Sequence, residues 1–238
     1  MYKYDLHVHT SACSCCGVST PEEQVKAYAE KGYNGIVITD HFVCGCNRTP
    51  VPQTLSWCER VDMYSTAYER AAKAAENYDS FKAFFGAEYS YAGGHDLLFY
   101  GLHKEFLYKH PEIEGMPVEK LCELLQKAGC IVVQAHPFRD REYNDRSVKP
   151  ELYCADGVEI FNSCNYDEEN KKALEYALAN NKIMTSGGDI HNANDPRIGL
   201  AGIFTENPVE SLDELVKVLK NGDYSLCIKG ENRTLQSL

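Results

Sequence analysis

The sequence has no apolar run approaching ~18 residues, the length of a bilayer-spanning helix. Its amino terminus, Met1-Tyr2-Lys3-Tyr4-Asp5, enters a strand pattern directly, without the basic segment and apolar core of a secretory signal. These two absences argue against a membrane helix or a membrane partner and give a cytoplasmic location as the expectation. Internal repeats and low-complexity tracts are also missing, which sets aside solenoids, arrays and disordered linkers. Basic residues are scarce, with 24 Lys and Arg against 35 Asp and Glu and a formal charge of −11. A uniformly acidic surface repels polyanions, so nucleic acid is disfavoured as a partner and small substrates are favoured.

What is present is ordinary globular material, with 44% hydrophobic and 25% charged residues over 238 positions. That length accommodates one barrel-sized domain over residues 1–238, the reading adopted here, or two small ones. Cysteine is abundant at eleven, but the number is odd and a chain this long needs no disulfide staples, so reduced thiols are expected. Cys122 and Cys130 read as core filler. Cys13, Cys15 and Cys16 differ in crowding one loop.

That loop follows Asp5-Leu6-His7-Val8-His9-Thr10, the end of the first apolar run. Strand side chains alternate faces, so His7 and His9 point the same way with Cα atoms about 6.6 Å apart and can share one metal ion. Taken alone, the pair reads equally well as polar filler at a strand end. The first strand is predicted over Tyr2 to Val8. Thr20-Pro21-Glu22-Glu23 then reads as a capping box opening a helix to about Lys31. Ile36-Val37-Ile38 has the β-branched character of a buried parallel strand and delivers Thr39-Asp40-His41. An irregular loop with Pro50 and Pro52 leads to a long helix from about Cys58 to Tyr78. Phe81 to Ala87 is strand-like and ends in Glu88; Gly93-Gly94 makes a turn, and His95 opens the run Leu97-Leu98-Phe99-Tyr100.

Val118, Leu121, Cys122 and Leu125 stand at i, i+3, i+4 and i+7, an amphipathic helix closed by Gly129. Cys130-Ile131-Val132-Val133 is a buried strand ending in Gln134-Ala135-His136-Pro137-Phe138-Arg139. Gly157 to Phe161 is another, ending at Asn162 before a helix from about Asp167 to Asn180. Ile183-Met184-Thr185 leads into Ser186-Gly187-Gly188-Asp189-Ile190-His191, where glycines let the backbone turn closely. A strand near Ile203-Phe204 and a helix from about Ser211 to Lys220, opened by a Ser211-x-x-Glu214 box, complete the pattern.

Alternating strands and helices indicate an α/β protein with a parallel sheet. His7, His9, His41, Glu88, His136, Asp189 and His191 all stand at or just past the carboxyl end of a predicted strand, and in a parallel barrel those ends share one face. Imidazole and carboxylate together suit zinc, iron or manganese. Seven such groups exceed the three or four that one zinc uses, so two or three divalent ions are implied, with Glu88 able to bridge.

These five segments, Asp5-Leu6-His7-Val8-His9-Thr10, Ile38-Thr39-Asp40-His41, Gly86-Ala87-Glu88, Ala135-His136-Pro137-Phe138-Arg139 and Gly188-Asp189-Ile190-His191, resemble in this order the PHP superfamily, named for polymerase and histidinol phosphatase domains. The resemblance implies a distorted seven-stranded β/α barrel of the TIM-like kind, up to three metals, and phosphoester hydrolysis. Carried over residue by residue, it places His7, His9, Glu88 and Asp189 at a first metal, Glu88, His95 and His136 at a second, and His41 with His191 at a third. His95 reads alternatively as a turn histidine, and His103 and His110 as surface residues. Relatives often supply an Asp or His to the third metal from the loop after His-x-His. Here Thr10 to Gly17 has neither, and Cys16 stands where that ligand is expected, with Cys15 the alternative.

The chain is therefore expected to be a metal-dependent phosphoesterase acting on a small phosphomonoester, with zinc, manganese or iron activating water. Arg139 is expected to clamp phosphate, or alternatively to pair with Asp140 or Glu142. His191 or His41 is expected to protonate the leaving oxygen. The competing readings are a nuclease of the same superfamily and a non-catalytic metal-binding regulatory module.

Overall fold

A computed structural model describes residues 1–44, 48–149 and 152–238. In chain order the elements are β1 (Tyr2–Val8), α1 (Pro21–Glu30), β2 (Gly35–Ile38), α2 (Trp57–Ala75), β3 (Lys82–Ser90), β4 (Asp96–Tyr100), α3 (Lys104–Lys109) and α4 (Val118–Lys127). Then come β5 (Ile131–Ala135), β6 (Gly157–Asn162), α5 (Asp167–Ala179), β7 (Ile183–Gly187), β8 (Ala201–Thr205), α6 (Leu212–Asn221), β9 (Ser225–Ile228) and β10 (Glu231–Arg233). None of the described helices is long and apolar enough to cross a membrane.

The α/β class is as expected, but among the described residues the sheet holds ten strands rather than seven, in the order β10-β9-β8-β1-β2-β3-β4-β5-β6-β7. Nor is it uniformly parallel. β1, β2 and β3 run parallel, as do β5, β6 and β7, whereas β4 is antiparallel to both its neighbours and β8 to β10 form an antiparallel extension from β1. The reason lies in the β3–β4 connection. Residues 91–95 are too few for a crossover, and Gly93 and Gly94, with φ of 63° and 78°, make the reversal.

The sheet curls until the segment after β7 reaches β1. Asp189 N–H donates to His7 O at 2.8 Å and His9 N–H to Ile190 O at 2.9 Å. Strand alternation sorts the apolar side chains into two clusters. Ile36 and Ile38 pack with Val25, Tyr28, Val61, Tyr64, Leu121 and Leu125 of α1, α2 and α4. Val37 faces the other way and joins Ala173 and Tyr176 of α5 and Leu215 and Leu219 of α6.

Helix starts follow local chemistry. The Thr20–Glu23 capping box forms as expected, with Glu23 N–H to Thr20 Oγ1 at 3.2 Å and Thr20 N–H to Glu23 Oε2 at 2.7 Å. Ser56 and Glu59 make a second box. At α6 only half a box forms, because the Glu214 carboxylate accepts from Glu210 N–H at 2.8 Å.

One glycine is structurally demanding. Gly202, with φ of 122°, lies where β8 crosses β1, and a Cβ there would stand 2.2 Å from Tyr4 O. Gly202→Ala is therefore expected to lower stability by about 2–4 kcal/mol through backbone strain and overpacking. Urea unfolding checks this, and an unchanged midpoint would refute the account.

Candidate metal centre

The strand ends bring His7, His9, His41, Glu88, His136 and Asp189 together, each less than a tenth exposed. The orientation of the two imidazoles on β1 and just beyond it is set from behind. His7 Nδ1 lies 3.0 Å from Glu159 Oε1 on β6 and donates to it, since a carboxylate only accepts. Ser14 Oγ donates to Asp40 Oδ1 at 2.7 Å, so it accepts from His41 N–H at 2.9 Å and from His9 Nδ1 at 3.0 Å. Both Nδ1 atoms carry the proton in this network, which leaves both Nε2 lone pairs facing forward.

Those two Nε2 atoms are 3.1 Å apart. Asp189 Oδ1 lies 3.5 Å from each, and the Glu88 carboxylate oxygens lie 3.3 Å from His7 Nε2 and 3.4 Å from His9 Nε2. Acceptor atoms thus converge with no donor among them, a set whose chemistry fits a divalent cation. With no cation bound, a proton on His7 Nε2 takes that place. Burial opposes the charged form of His7, yet Glu159 and Asp189 outweigh it and hold the pKa well above the ordinary value. Burial likewise opposes ionised Asp189, but Arg139 and His7 hold its pKa well below the usual carboxylate range.

Two further groups adjoin this one. His136 Nε2 lies 3.1 Å from Glu88 Oε1, so His7, Glu88 and His136 share a point. His9, Cys16, His41 and His191 make the other. His41 Nδ1 is 2.9 Å from Glu88 Oε2 without hydrogen-bond alignment, as befits two ligands facing a common third atom. His191 stacks on His9 at 4.2 Å between ring centroids, and its Nδ1 donates to Asp189 O at 3.0 Å. Burial raises the Cys16 thiol, but hydrogen bonds with His191 and His41 outweigh it and bring the pKa to about 6. Nitrogen, carboxylate and thiolate donors in these groups fit zinc, manganese or iron better than calcium or magnesium. His136 and Asp189 also hold left-handed backbone conformations, with φ of 29° and 56°, of the kind that clusters at functional sites.

Of the loop thiols, Cys16 joins His41 and His191, whereas Cys15 is exposed and directs its backbone N–H to Arg48 O at 2.7 Å. His95 joins none of the three groups. Ser90 pairs with Asp96 across the β3–β4 register, and Ser90 shares a face with Glu88 two residues earlier; His95 is one position out of phase and stacks on Tyr91. His103 is at the surface, with a side chain 54% exposed.

Arg139 takes partners other than the neighbours expected for it. It pairs neither with Asp140 nor with Glu142 but with Asp189, Nη2 to Oδ2 at 2.7 Å, while Asn162 Oδ1 accepts from Nη2 at 2.9 Å and Asn165 Oδ1 from Nε at 2.8 Å. The fork is therefore occupied except at Nη1. Sequence reading passed over Glu159, Ser14 and Arg48. Glu159 was marked by a lone carboxylate inside an apolar strand; Ser14 and Arg48 carried no comparable signal. Arg48 donates from Nη2 to Ser90 Oγ at 2.7 Å and Asp96 Oδ1 at 2.8 Å, and with Cys16, Tyr91, Arg139, Tyr143 and His191 it lines a cavity of about 750 Å³ beside the centre.

Residues 5–155 match the family model of the PHP domain. The chain belongs to the PHP domain family. No curated protein matches it. Its fold is similar to a two-domain protein of Bacteroides vulgatus ATCC 8482 that contains a predicted PHP-like metal-dependent phosphoesterase, with a TM-score of 0.70 and 18% identity, over 97% of this chain and 66% of that one. It is also similar to PsfC of Pseudomonas syringae PB-5123, with a TM-score of 0.60 and 14% identity, over 91% and 88% of the two chains. The lesion-specific endonuclease EndoQ of Pyrococcus furiosus gives a TM-score of 0.62 and 14% identity, over 94% of this chain and 57% of that one. The chain thus spans less than two thirds of the Bacteroides and Pyrococcus proteins.

The Arg139–Asp189 pair yields a stability prediction independent of any ligand. Asp189 is buried, at 4% exposure, and Arg139 largely so, at 12%, so Arg139→Ala strands a carboxylate and is expected to cost about 3–5 kcal/mol, of which Arg139→Lys recovers part. Denaturant unfolding of metal-free protein measures it, and equal midpoints for all three proteins would exclude a structural pair.

Proposed function

We propose that this PHP domain is a metal-dependent phosphoesterase acting on a small phosphomonoester. The supporting observation is the pair of Nε2 lone pairs 3.1 Å apart, each turned forward by a partner on Nδ1 and facing two buried carboxylates. In this reading His7, His9, Glu88 and Asp189 hold one ion, Glu88 and His136 share a second, and Cys16, His41 and His191 hold a third. Such ions, when bound, supply Lewis acidity toward phosphoryl oxygens and lower the pKa of water.

The remaining work falls to the chain. Arg139, fixed by Asp189 and Asn162, presents Nη1 to a phosphoryl oxygen, so it serves as a single-nitrogen donor rather than a two-pronged clamp. With no ion at the third position, proton delivery to the leaving oxygen falls to His191 rather than His41, because His191 keeps 30% of its side chain exposed at the cavity and His41 only 2%. An ion held with Cys16 would occupy the forward nitrogen of His191, and the leaving oxygen would then take its proton from water. Arg48, Tyr91 and Tyr143 border the space left for the organic part of the substrate.

A second reading is cleavage of DNA. The likeness to the Pyrococcus endonuclease supports it, as does the exposed Tyr166 ring with the Arg141 guanidinium 4.6 Å from its centre.

Two outcomes are expected. Protein stripped by a chelator should not hydrolyse an aryl phosphate and should regain turnover with manganese, zinc or iron, while a single-stranded or abasic oligonucleotide stays intact. Cleavage of the oligonucleotide alone would favour the second reading, and neither activity would leave a metal-binding module. Separately, Cys16→Ser should lose about one metal equivalent and Cys16→Asp regain it, since each zinc takes about four donors. Metal loading should also shield Cys16 from alkylation. Equal metal content in parent and Cys16→Ser, with no shielding, would remove Cys16 from the ligand set.

A further inference from the structure

Ten of the eleven cysteines lie among the described residues, all as free thiols. Two of them differ from the rest: Cys154 Sγ is 2.9 Å from Cys122 Sγ. Neither belongs to any of the three candidate metal groups. Cys122 is buried on α4, and Cys154 is half-buried in the turn that leads into β6.

The contact is held by fixed parts of the fold. Gln126, one helical turn beyond Cys122, donates from Nε2 to Cys154 O at 2.8 Å and to Asp156 Oδ1 at 2.9 Å. Asp156 Oδ2 accepts from Val132 N–H on β5 at 2.9 Å, and Lys182 Nζ donates to Tyr153 O at 2.8 Å. The turn is therefore clamped to the helix that carries Cys122 at Cys154 and Asp156, and to Lys182, just before β7, at Tyr153. Hydrogen bonding between the thiols raises the pKa of Cys122, with burial adding to it, and lowers that of Cys154. Cys154 is thus the thiol that ionises first, and it is also the accessible one, the two properties an attacking thiol needs.

We propose that Cys122 and Cys154 form a reversible disulfide, a covalent modification site separate from the metal centre, whose oxidant is a small-molecule disulfide of the glutathione type. The Cys154 thiolate attacks one sulfur of that molecule, forming a mixed disulfide and expelling one small thiolate. Cys122 gives up its proton and attacks Cys154 Sγ, which expels the second. Two electrons pass from the cysteine pair to the small disulfide, and the two cysteine protons end on the two small thiols.

The bridge would act on the site through the β5–β6 connection, which carries His136, Arg139 and Tyr143. That connection already rests on the β3–β4 turn, with Asn144 Nδ2 donating to Gly94 O at 3.1 Å and Asp145 N–H to Gly93 O at 3.0 Å. Oxidation would tie its far end covalently to α4, so one wall of the cavity would be anchored at both ends.

The full chain, metal-free and metal-loaded, is equilibrated in glutathione buffers from reducing to oxidising, trapped by alkylation and digested. The expected result is a linked Cys122–Cys154 peptide that grows with oxidation, a loss of two titratable thiols from this pair, and full reversal by a dithiol. Cys122→Ala should instead accumulate glutathione on Cys154, because the resolving thiol is gone, and Cys154→Ser should show neither product. Parent protein carrying stable glutathione on Cys154 with no linked peptide would overturn the proposal. So would a pair that stays reduced in buffers that modify the exposed Cys15 and Cys58.

Discussion

The hydrogen bond from His7 Nδ1 to Glu159 fixes which ring nitrogen faces the centre, and the centre in turn dictates how closely the sheet must fold upon itself. Glu159 lies on β6 and His7 on β1, at opposite sides of the chain's order, yet their side chains touch at 3.0 Å. The same carboxylate uses Oε2 to accept from His136 N–H at 3.0 Å and from Asn162 Nδ2 at 2.9 Å. One side chain therefore orients the ring of one candidate ligand, fixes the backbone of a second and holds the asparagine that contacts Arg139. Partners of this kind set both tautomer and direction, which a list of ligands alone leaves open.

Closure around that contact is possible only because Gly187, which ends β7, and Gly188, which follows it, lack side chains. A Cβ on Gly187 would stand 2.3 Å from Glu159 Oε1 and 2.6 Å from His7 Cβ, and one on Gly188 would stand 2.4 Å from Asp5 Oδ2. The two glycines let the Glu159 and Asp5 carboxylates occupy the seam between β7 and β1. Asp5 then knits the seam, accepting from Gly188 N–H at 2.8 Å, His7 N–H at 3.1 Å and Tyr28 Oη–H at 2.8 Å. Asp189 emerges from this turn with Oδ1 toward the imidazoles and Oδ2 toward Arg139. Fold closure and ligand placement are in this sense one event.

The strands that carry the centre were legible because each is a short apolar run ending abruptly in a polar residue; β1 and β6 fall where the pattern puts them. What the pattern could not carry was direction. The candidate ligands stand at the carboxyl ends of β1, β2, β3, β5 and β7, but β4 runs antiparallel, so its amino end meets the site and the phase of His95 follows from its pairing with β3. Partners across long sequence separations were equally hidden: nothing near Arg139 in sequence announces Asp189, whereas Asp140 and Glu142 are conspicuous and wrong. β9, β10 and α3 were missed because each is only three to six residues long, too short for a period to register. Glu159 is different in kind, since a carboxylate within Gly157-Val158-Glu159-Ile160-Phe161 is a buried charge in plain view, and buried charges require partners.

Charge, finally, has to be read where it is felt. The formal −11 describes the whole chain, but at physiological salt exposed charges are screened within about 8 Å, so a ligand in the cavity responds to the groups lining it. Those are Arg48 and Arg139, each tied to a buried carboxylate, together with imidazoles gathered around Glu88. Asp5, Asp40, Glu88, Glu159 and Asp189 are all at most 4% exposed, so the acidity nearest the cavity lies inside the fold, where it orients neighbouring side chains. The proposal of a small phosphoester rather than a polyanion therefore rests on the roughly 750 Å³ cavity and its two anchored guanidinium groups, and the net charge adds little to it.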